Sequence, residues 1–125
     1  MKQYIVRVHD DRIEWYNQEG QRHREDDLPA IEWKGGDKTY WIKGQLHRGG
    51  DLPAVEGSNG NKEYWVNGQL HRDGGLPAIE CPNGTKEYWV NGKKVAKRQA
   101  EKLAKPSYNG KLVKINCKKY QLKKL

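Results

Sequence analysis

The chain has 125 residues, 34% of them hydrophobic, with five Trp, seven Tyr and no Phe, and a formal net charge of +8. That length sets about one domain, and so small an apolar share excludes a thick two-layer core and any run that could span a membrane as a helix. The basicity is confined to one end: residues 1–92 carry 12 Lys/Arg against 15 Asp/Glu, whereas residues 93–125 carry 12 Lys/Arg and the single acid Glu101, a net of +11.

The first element is the β-rich run KQYIVRV (2–8), predicted to pair with the hairpin that follows and to cover its edge. It lacks the apolar core of a signal peptide, and Cys81 and Cys117 follow no metal or disulfide spacing. Both features point to a reducing, cytoplasmic setting.

A repeat fills the middle of the chain. GQRHREDDLPAIE (20–32), GQLHRGGDLPAVE (44–56) and GQLHRDGGLPAIE (68–80) lie 24 residues apart. They bring His23, His47 and His71, then Arg24, Arg48 and Arg72, into register. The pair Tyr40-Trp41 recurs as Tyr64-Trp65 and Tyr88-Trp89, and the first copy, EWYNQEG, reads as carrying two extra residues before Gly20. Repetition at such a period marks a stacked array in which each unit buries its apolar side against the next.

Each unit reads as short antiparallel strands. Asn-Gly between KEYWV and QLHR predicts a two-residue hairpin turn, whose central positions both need positive φ. Pro82-Asn83-Gly84 predicts a second turn, and Pro29, Pro53 and Pro77 are expected to open the LPAIE-type strands, where a missing N–H is tolerated. Alternation along EYWV sends Tyr and Val to one face and Trp to the other. Stacked repeats then form a ladder of Trp41, Trp65 and Trp89 and another of Tyr40, Tyr64 and Tyr88, which stabilise a narrow twisted sheet without a second layer. The fold class is therefore mainly β, an array of antiparallel hairpin repeats over residues 1–92 with a basic cap over residues 93–125.

In that cap, KKVAKRQAEKLAK (93–105) has helix-forming composition and ends at Pro106, and GKLVKINCKKYQL (110–122) reads as a hairpin. The helix is expected to close the last repeat, since terminal units of an array need a different outer surface.

The pattern gives little footing for chemistry. Successive histidines of the array sit roughly 10 Å apart, too far to share one zinc, and are expected to pack beside their turns. Glu32, Glu56 and Glu80 are repeat equivalents, so none stands out as a catalytic acid. No nucleophile triad, P-loop or EF-hand spacing is present. The expectation is a protein that is not an enzyme and takes no metal or cofactor.

YWVNGQLHR and NGTKEYWVNG resemble the MORN-type repeats in their shorter bacterial and viral form, the YwqK-like group, over about residues 13–92. The HR…LPA element is closer to variants in phage and large-virus proteins. The resemblance implies a hairpin array that binds partners and does no chemistry. The repeat surface expected to grip them is Trp41, Trp65, Trp89, Tyr40, Tyr64, Tyr88, Arg24, Arg48 and Arg72, residue types enriched at interfaces. Lys93, Lys94, Lys97, Arg98, Lys102, Lys105, Lys118 and Lys119 are expected to supply an electrostatic contact to a protein or nucleoprotein with an acidic surface. The functional expectation is a non-catalytic interaction module, in its sharpest form a small phage-encoded inhibitor of a bacterial nucleoprotein defence complex. Direct sequence-independent RNA or DNA binding, and an antitoxin or intracellular scaffold of the YwqK-like type, are the alternatives. Open sheet edges add pairing of two copies.

Overall fold

A computed structural model describes residues 3–104. The hairpin expected over residues 110–122, and with it Lys105, Lys118, Lys119 and Cys117, lies outside the described residues.

In chain order the strands are β1 (Ile5–Val8), β2 (Arg12–Tyr16), β3 (Ile31–Trp33), β4 (Lys38–Thr39), β5 (Trp41–Ile42), β6 (Gln45–Leu46), β7 (Val55–Glu56), β8 (Lys62–Glu63), β9 (Trp65–Val66), β10 (Gln69–Leu70), β11 (Ile79–Glu80), β12 (Lys86–Val90) and β13 (Lys93–Val95). Helix α1 (Lys97–Ala104) follows. Among the described residues, nine strands form one open antiparallel sheet in the order β1-β2-β3-β4-β7-β8-β11-β12-β13, and β5–β6 and β9–β10 are separate hairpins. The predicted mainly β array ending in a helix is the observed fold. None of its helices is long and apolar enough to cross a membrane, among the described residues.

Hairpins of the main sheet alternate with the side hairpins β5–β6 and β9–β10, and a tyrosine marks each change. Tyr40 donates its N–H to the Ala54 carbonyl (2.7 Å) and accepts at its own carbonyl from His47 N–H (3.0 Å). Tyr64 does the same with Ala78 and His71, at 2.7 and 3.0 Å. The side hairpins turn at Lys43-Gly44 and Asn67-Gly68, and the last hairpin, β12–β13, at Asn91-Gly92. All six residues have positive φ, as a two-residue turn of this hand requires. Across the main sheet, Glu32, Lys38, Glu56, Lys62, Glu80 and Lys86 are successive neighbours in register, so acid and base alternate along one row. Opposite charges facing each other across strands favour this register over a slipped one.

The core is thin, as the composition requires. Ala30, Ala54 and Ala78 are fully buried, joined by Tyr40, Tyr64 and Ile31. The small alanines let successive repeats approach closely. Pro29, Pro53 and Pro77 are buried too, but the strands begin two residues after each proline, at Ile31, Val55 and Ile79. The proline carbonyls are engaged by arginine side chains instead of a ladder.

Three other details depart from the sequence expectation. Lys93–Val95 form β13 and complete another hairpin on β12, so the helix begins at Lys97 and not at 93. The Asn91-Gly92 turn imposes the strand on these residues, because Gly92 N–H bonds to the Leu70 carbonyl of the preceding hairpin (2.9 Å). Secondly, the first repeat is longer by one residue, not two. His23 N–H donates to the Trp15 carbonyl (3.1 Å), as His47 and His71 do to Tyr40 and Tyr64, which makes Trp15 the counterpart of the tyrosines. Finally, β1 does pair with β2, but Ile5, Val6 and Val8 stay exposed on the new edge.

Candidate functional site

Every repeat carries an arginine laid flat on an aromatic ring. Arg24 lies 3.7 Å above Trp15, and Arg48 and Arg72 lie 3.8 Å above Tyr40 and Tyr64. Each guanidinium donates to a proline carbonyl five residues on, at 3.1 Å, and approaches Glu32, Glu56 or Glu80 at 3.4–3.6 Å. Arg48 and Arg72 also form two-pronged bridges back to the preceding repeat, to Asp27 (2.7 and 3.2 Å) and Asp51 (2.9 and 3.3 Å). The Arg48 hydrogen bond draws Asp27 below its ordinary pKa, against the opposing effect of burial. Burial pushes Tyr40 up to about 12, with Arg48 opposing and Glu56 reinforcing the shift. Arg48 and Arg72 thus fasten repeat to repeat, and all three arginine side chains are mostly covered, at 12–19% exposure.

The histidines latch neighbouring repeats together. His23, His47 and His71 accept at Nδ1 from the backbone N–H of Lys43, Asn67 and Asn91, each in the turn of the next hairpin, at 2.9–3.0 Å. An amide can only donate, so the ring proton of each neutral imidazole sits on Nε2. That nitrogen meets Glu25 at 3.1 Å in the first repeat and Asp73 at 2.8 Å in the third.

The second aromatic of each unit is held by the residue two before it. Trp41, Trp65 and Trp89 donate Nε1 to Thr39, Glu63 and Glu87 at 2.8–3.0 Å, and Tyr16 donates its hydroxyl to Glu14 at 2.8 Å. Glu14 is the one buried acid among the described residues and also receives Arg12 (3.0 Å) and His9 (3.2 Å). Burial alone would raise its pKa, but the hydrogen bonds from Arg12, Tyr16 and His9 outweigh it and hold the group at about 2. A carboxylate fixed that low is a poor proton carrier at neutral pH. The cluster is structural, and its cost shows nearby: Arg22, standing where later repeats have Leu46 and Leu70, has its Nε buried without a partner.

Between successive repeats run grooves. The first, about 420 Å³, is lined by Leu28, Trp41, Ile42 and Leu52; the second, about 460 Å³, by Leu52, Trp65, Val66 and Leu76. Leu28, Leu52 and Leu76 are each 41–42% exposed, a regular row of apolar knobs. At the third interface only about 60 Å³ remains, because Ala100, Leu103 and Ala104 of α1 fill the place. Two substitutions within the repeat admit the helix there: Gly75 stands where Asp27 and Asp51 stand, and Ala96 where Arg48 and Arg72 stand. A Cβ on Gly75 would lie 3.1 Å from the Cα of Glu101.

The structure thus gathers Trp41, Trp65, Tyr40, Tyr64 and the arginines along the groove face, whereas Tyr88 and Trp89 belong to the interface next to α1. Lys93 and Lys94 are exposed on β13, with Lys94 3.7 Å from Glu87, and Lys97, Arg98 and Lys102 are exposed on α1. Among the described residues, no group of three His, Cys, Asp or Glu is close enough to hold a metal ion. The leucine rims and the Glu14 cluster were not singled out in the sequence. Regular 24-residue spacing of Leu28, Leu52 and Leu76 was the available signal for the first. The chain matches no protein-family model, no curated protein and no solved structure.

Proposed function

We propose that the chain is a non-catalytic interaction module that grips a protein partner along its groove face. The observation that carries this reading is the pair of open grooves, about 420 and 460 Å³, recurring in register and rimmed by equally exposed leucines. A preformed surface loses little entropy on binding, and half-buried Trp and exposed Leu beside fixed Arg give it apolar anchors with polar neighbours. The finer form, a phage-encoded inhibitor that occupies a nucleoprotein defence complex, is supported by the resemblance to MORN-type repeats of phage and viral proteins and by the net +11 of residues 93–125.

The test is affinity capture with mass spectrometry on three forms of the full chain: wild type, Leu28→Ser/Leu52→Ser/Leu76→Ser, and a form with Lys93, Lys94, Lys97, Arg98 and Lys102 changed to Glu. Loss of a specific partner with the leucine variant alone is the expected result. Retention by that variant and loss with the charge reversal would refute the groove reading.

Sequence-independent nucleic-acid binding is favoured by one observation, the exposure of Lys93, Lys94, Lys97, Arg98 and Lys102 on the consecutive elements β13 and α1. Its signature is affinity that falls steeply with salt. A gel shift on single- and double-stranded probes at two salt concentrations decides it.

A further inference from the structure

The middle repeat breaks the pattern at one point, where the two grooves meet. The first repeat reads Glu25-Asp26-Asp27 and the third Asp73-Gly74-Gly75, but the second reads Gly49-Gly50-Asp51. His47, Gly49 and Gly50 line both grooves, and since the third repeat also has glycine at the place of Gly50, the side chain that the middle repeat alone lacks at this saddle is the acid at 49. The same change takes away a hydrogen-bond partner. His23 and His71 each have an acid two residues on against Nε2, at 3.1 and 2.8 Å, and Gly49 offers His47 none. His47 Nδ1 is committed to Asn67 N–H at 3.0 Å, so its Nε2 carries the proton. Nothing stands within 4 Å of where a Cβ on Gly49 would be.

We infer that this saddle seats a carboxylate side chain of a partner protein, donated to by His47 Nε2, with the partner's flanking apolar residues lying in the two grooves. The partner segment is thus acidic at its centre and apolar on both sides, Leu28 and Trp41 receiving one flank and Trp65 and Leu76 the other. Its carboxylate takes the part that Glu25 and Asp73 play in cis. A partner acid that finds a formed donor forms a charge-assisted hydrogen bond, stronger than one between neutral groups. This inference rests on the groove-face reading and adds the chemistry of the occupant.

The experiment is a ¹H–¹⁵N titration of the full chain with acetyl-Leu-Ala-Asp-Ala-Leu-amide and with its Asn twin. The Asp peptide is expected to shift His47 Nε2 and the Trp41 and Trp65 indole signals, and the Asn twin to bind about tenfold more weakly, the loss of one charge-assisted bond. Gly49→Glu supplies the acid within the chain, at a position where the first repeat already has Glu and where the backbone does not need positive φ. It keeps the fold, seen in unchanged signals elsewhere, and weakens the Asp peptide by about tenfold. Gly49→Ala adds a side chain without the acid and leaves binding as it was. Equal affinity of the two peptides, or undiminished binding to Gly49→Glu, overturns the inference. So does a single-stranded oligonucleotide that displaces the peptide from His47, because it assigns the seat to phosphate. If a captured partner depends on Leu28, Leu52 and Leu76 yet survives Gly49→Glu, the carboxylate seat falls while the groove reading stands. If neither change matters to it, both fall.

Discussion

Removing one arginine staple tests the architecture most directly. Arg48 is 12% exposed and makes four contacts at once: the Tyr40 ring, the Pro53 carbonyl, Asp27 and Glu56. Stacking on a partly desolvated ring contributes about 1 kcal/mol, and a charged donor on a carbonyl about 1.5 kcal/mol. Asp27 is half exposed, so its bridge adds only about 0.5 kcal/mol, while the covered alkyl stem gives about 1 kcal/mol. The contacts share one side chain and do not sum independently, so Arg48→Ala is expected to cost about 3 kcal/mol. Arg24 has the stack, the Pro29 carbonyl and Glu32 but no two-pronged aspartate bridge, and Arg24→Ala should cost less by about 0.5 kcal/mol. Arg48→Lys keeps the charge and loses the planar fork, so it should recover less than half of the loss. Urea unfolding of the full chain reads this out. With a slope of about 1.5 kcal/mol per molar, 3 kcal/mol lowers the midpoint by about 2 M. Fluorescence and far-ultraviolet circular dichroism must be followed together, since an array can lose repeats one at a time. A cost for Arg48→Ala below about 0.5 kcal/mol, the range of an ordinary surface change, would refute the claim that these arginines fasten the repeats. A larger cost for Arg24→Ala would refute the role given to Asp27.

Two further outcomes follow from the same geometry. Glu14 is held at about 2 in the folded chain against an ordinary 4.5, so its contribution is complete above the ordinary value and is lost as pH falls towards 2. The span corresponds to about 3 kcal/mol; the stability gap between wild type and Glu14→Gln should narrow as pH falls through that window, and a gap that stays constant there would dismiss the network. Gly75→Asp should loosen α1, because the added Cβ meets the Glu101 backbone at 3.1 Å while Asp27 and Asp51 show that aspartate tolerates this backbone position, at φ 55° and 56°. Amide exchange at Ala100–Ala104 should quicken by about tenfold with the array unchanged; equal protection in both forms would show that the helix does not depend on the glycine.

Much of the fold was legible because a hairpin array repeats its own turn chemistry. Asn67-Gly68 and Asn91-Gly92 announce tight turns by residue type alone, and Pro82-Asn83-Gly84 does form one, closed by Gly84 N–H on the Cys81 carbonyl at 3.0 Å. Registration of the first repeat was harder. Trp15-Tyr16 reverses the order Tyr40-Trp41, and matching tryptophan with tryptophan displaced the alignment by one residue. The ring beneath Arg24, the carbonyl accepting from His23 and the Trp15 N–H donated to the Ala30 carbonyl fix Trp15 as the tyrosine counterpart. β13 escaped notice because Lys93 and Lys94 replace Gln69 and Leu70, leaving a strand with helix-forming composition whose form is dictated by the turn before it. The spacing put Arg24, Arg48 and Arg72 in register but could not say what they touch, since the Asp27–Arg48 contact joins residues 21 apart on different repeats.

Repetition also separates architecture from function within the molecule. A side chain present in all three copies with the same contacts, such as the arginine on its ring or the histidine on the next turn, answers to stacking, and its geometry is explained when the stack is. A departure from the repeat needs its own cause. At Gly75 and Ala96 the cause is visible, for losing both halves of the Asp–Arg bridge admits α1 and ends the array. At Gly49 the loss of a side chain bares the saddle where the two grooves meet and removes the acid that pairs with His23 and His71, while His47 lines both grooves. Gly50 sits at φ 71°, as Gly74 does at φ 80° in the third repeat, so its turn explains it, but Gly49 has no positive φ and its extra freedom in the unfolded chain works against folding with no gain in core packing or the ladder. A glycine placed against stability in the middle of the groove face is accounted for if something else is to occupy the space it leaves.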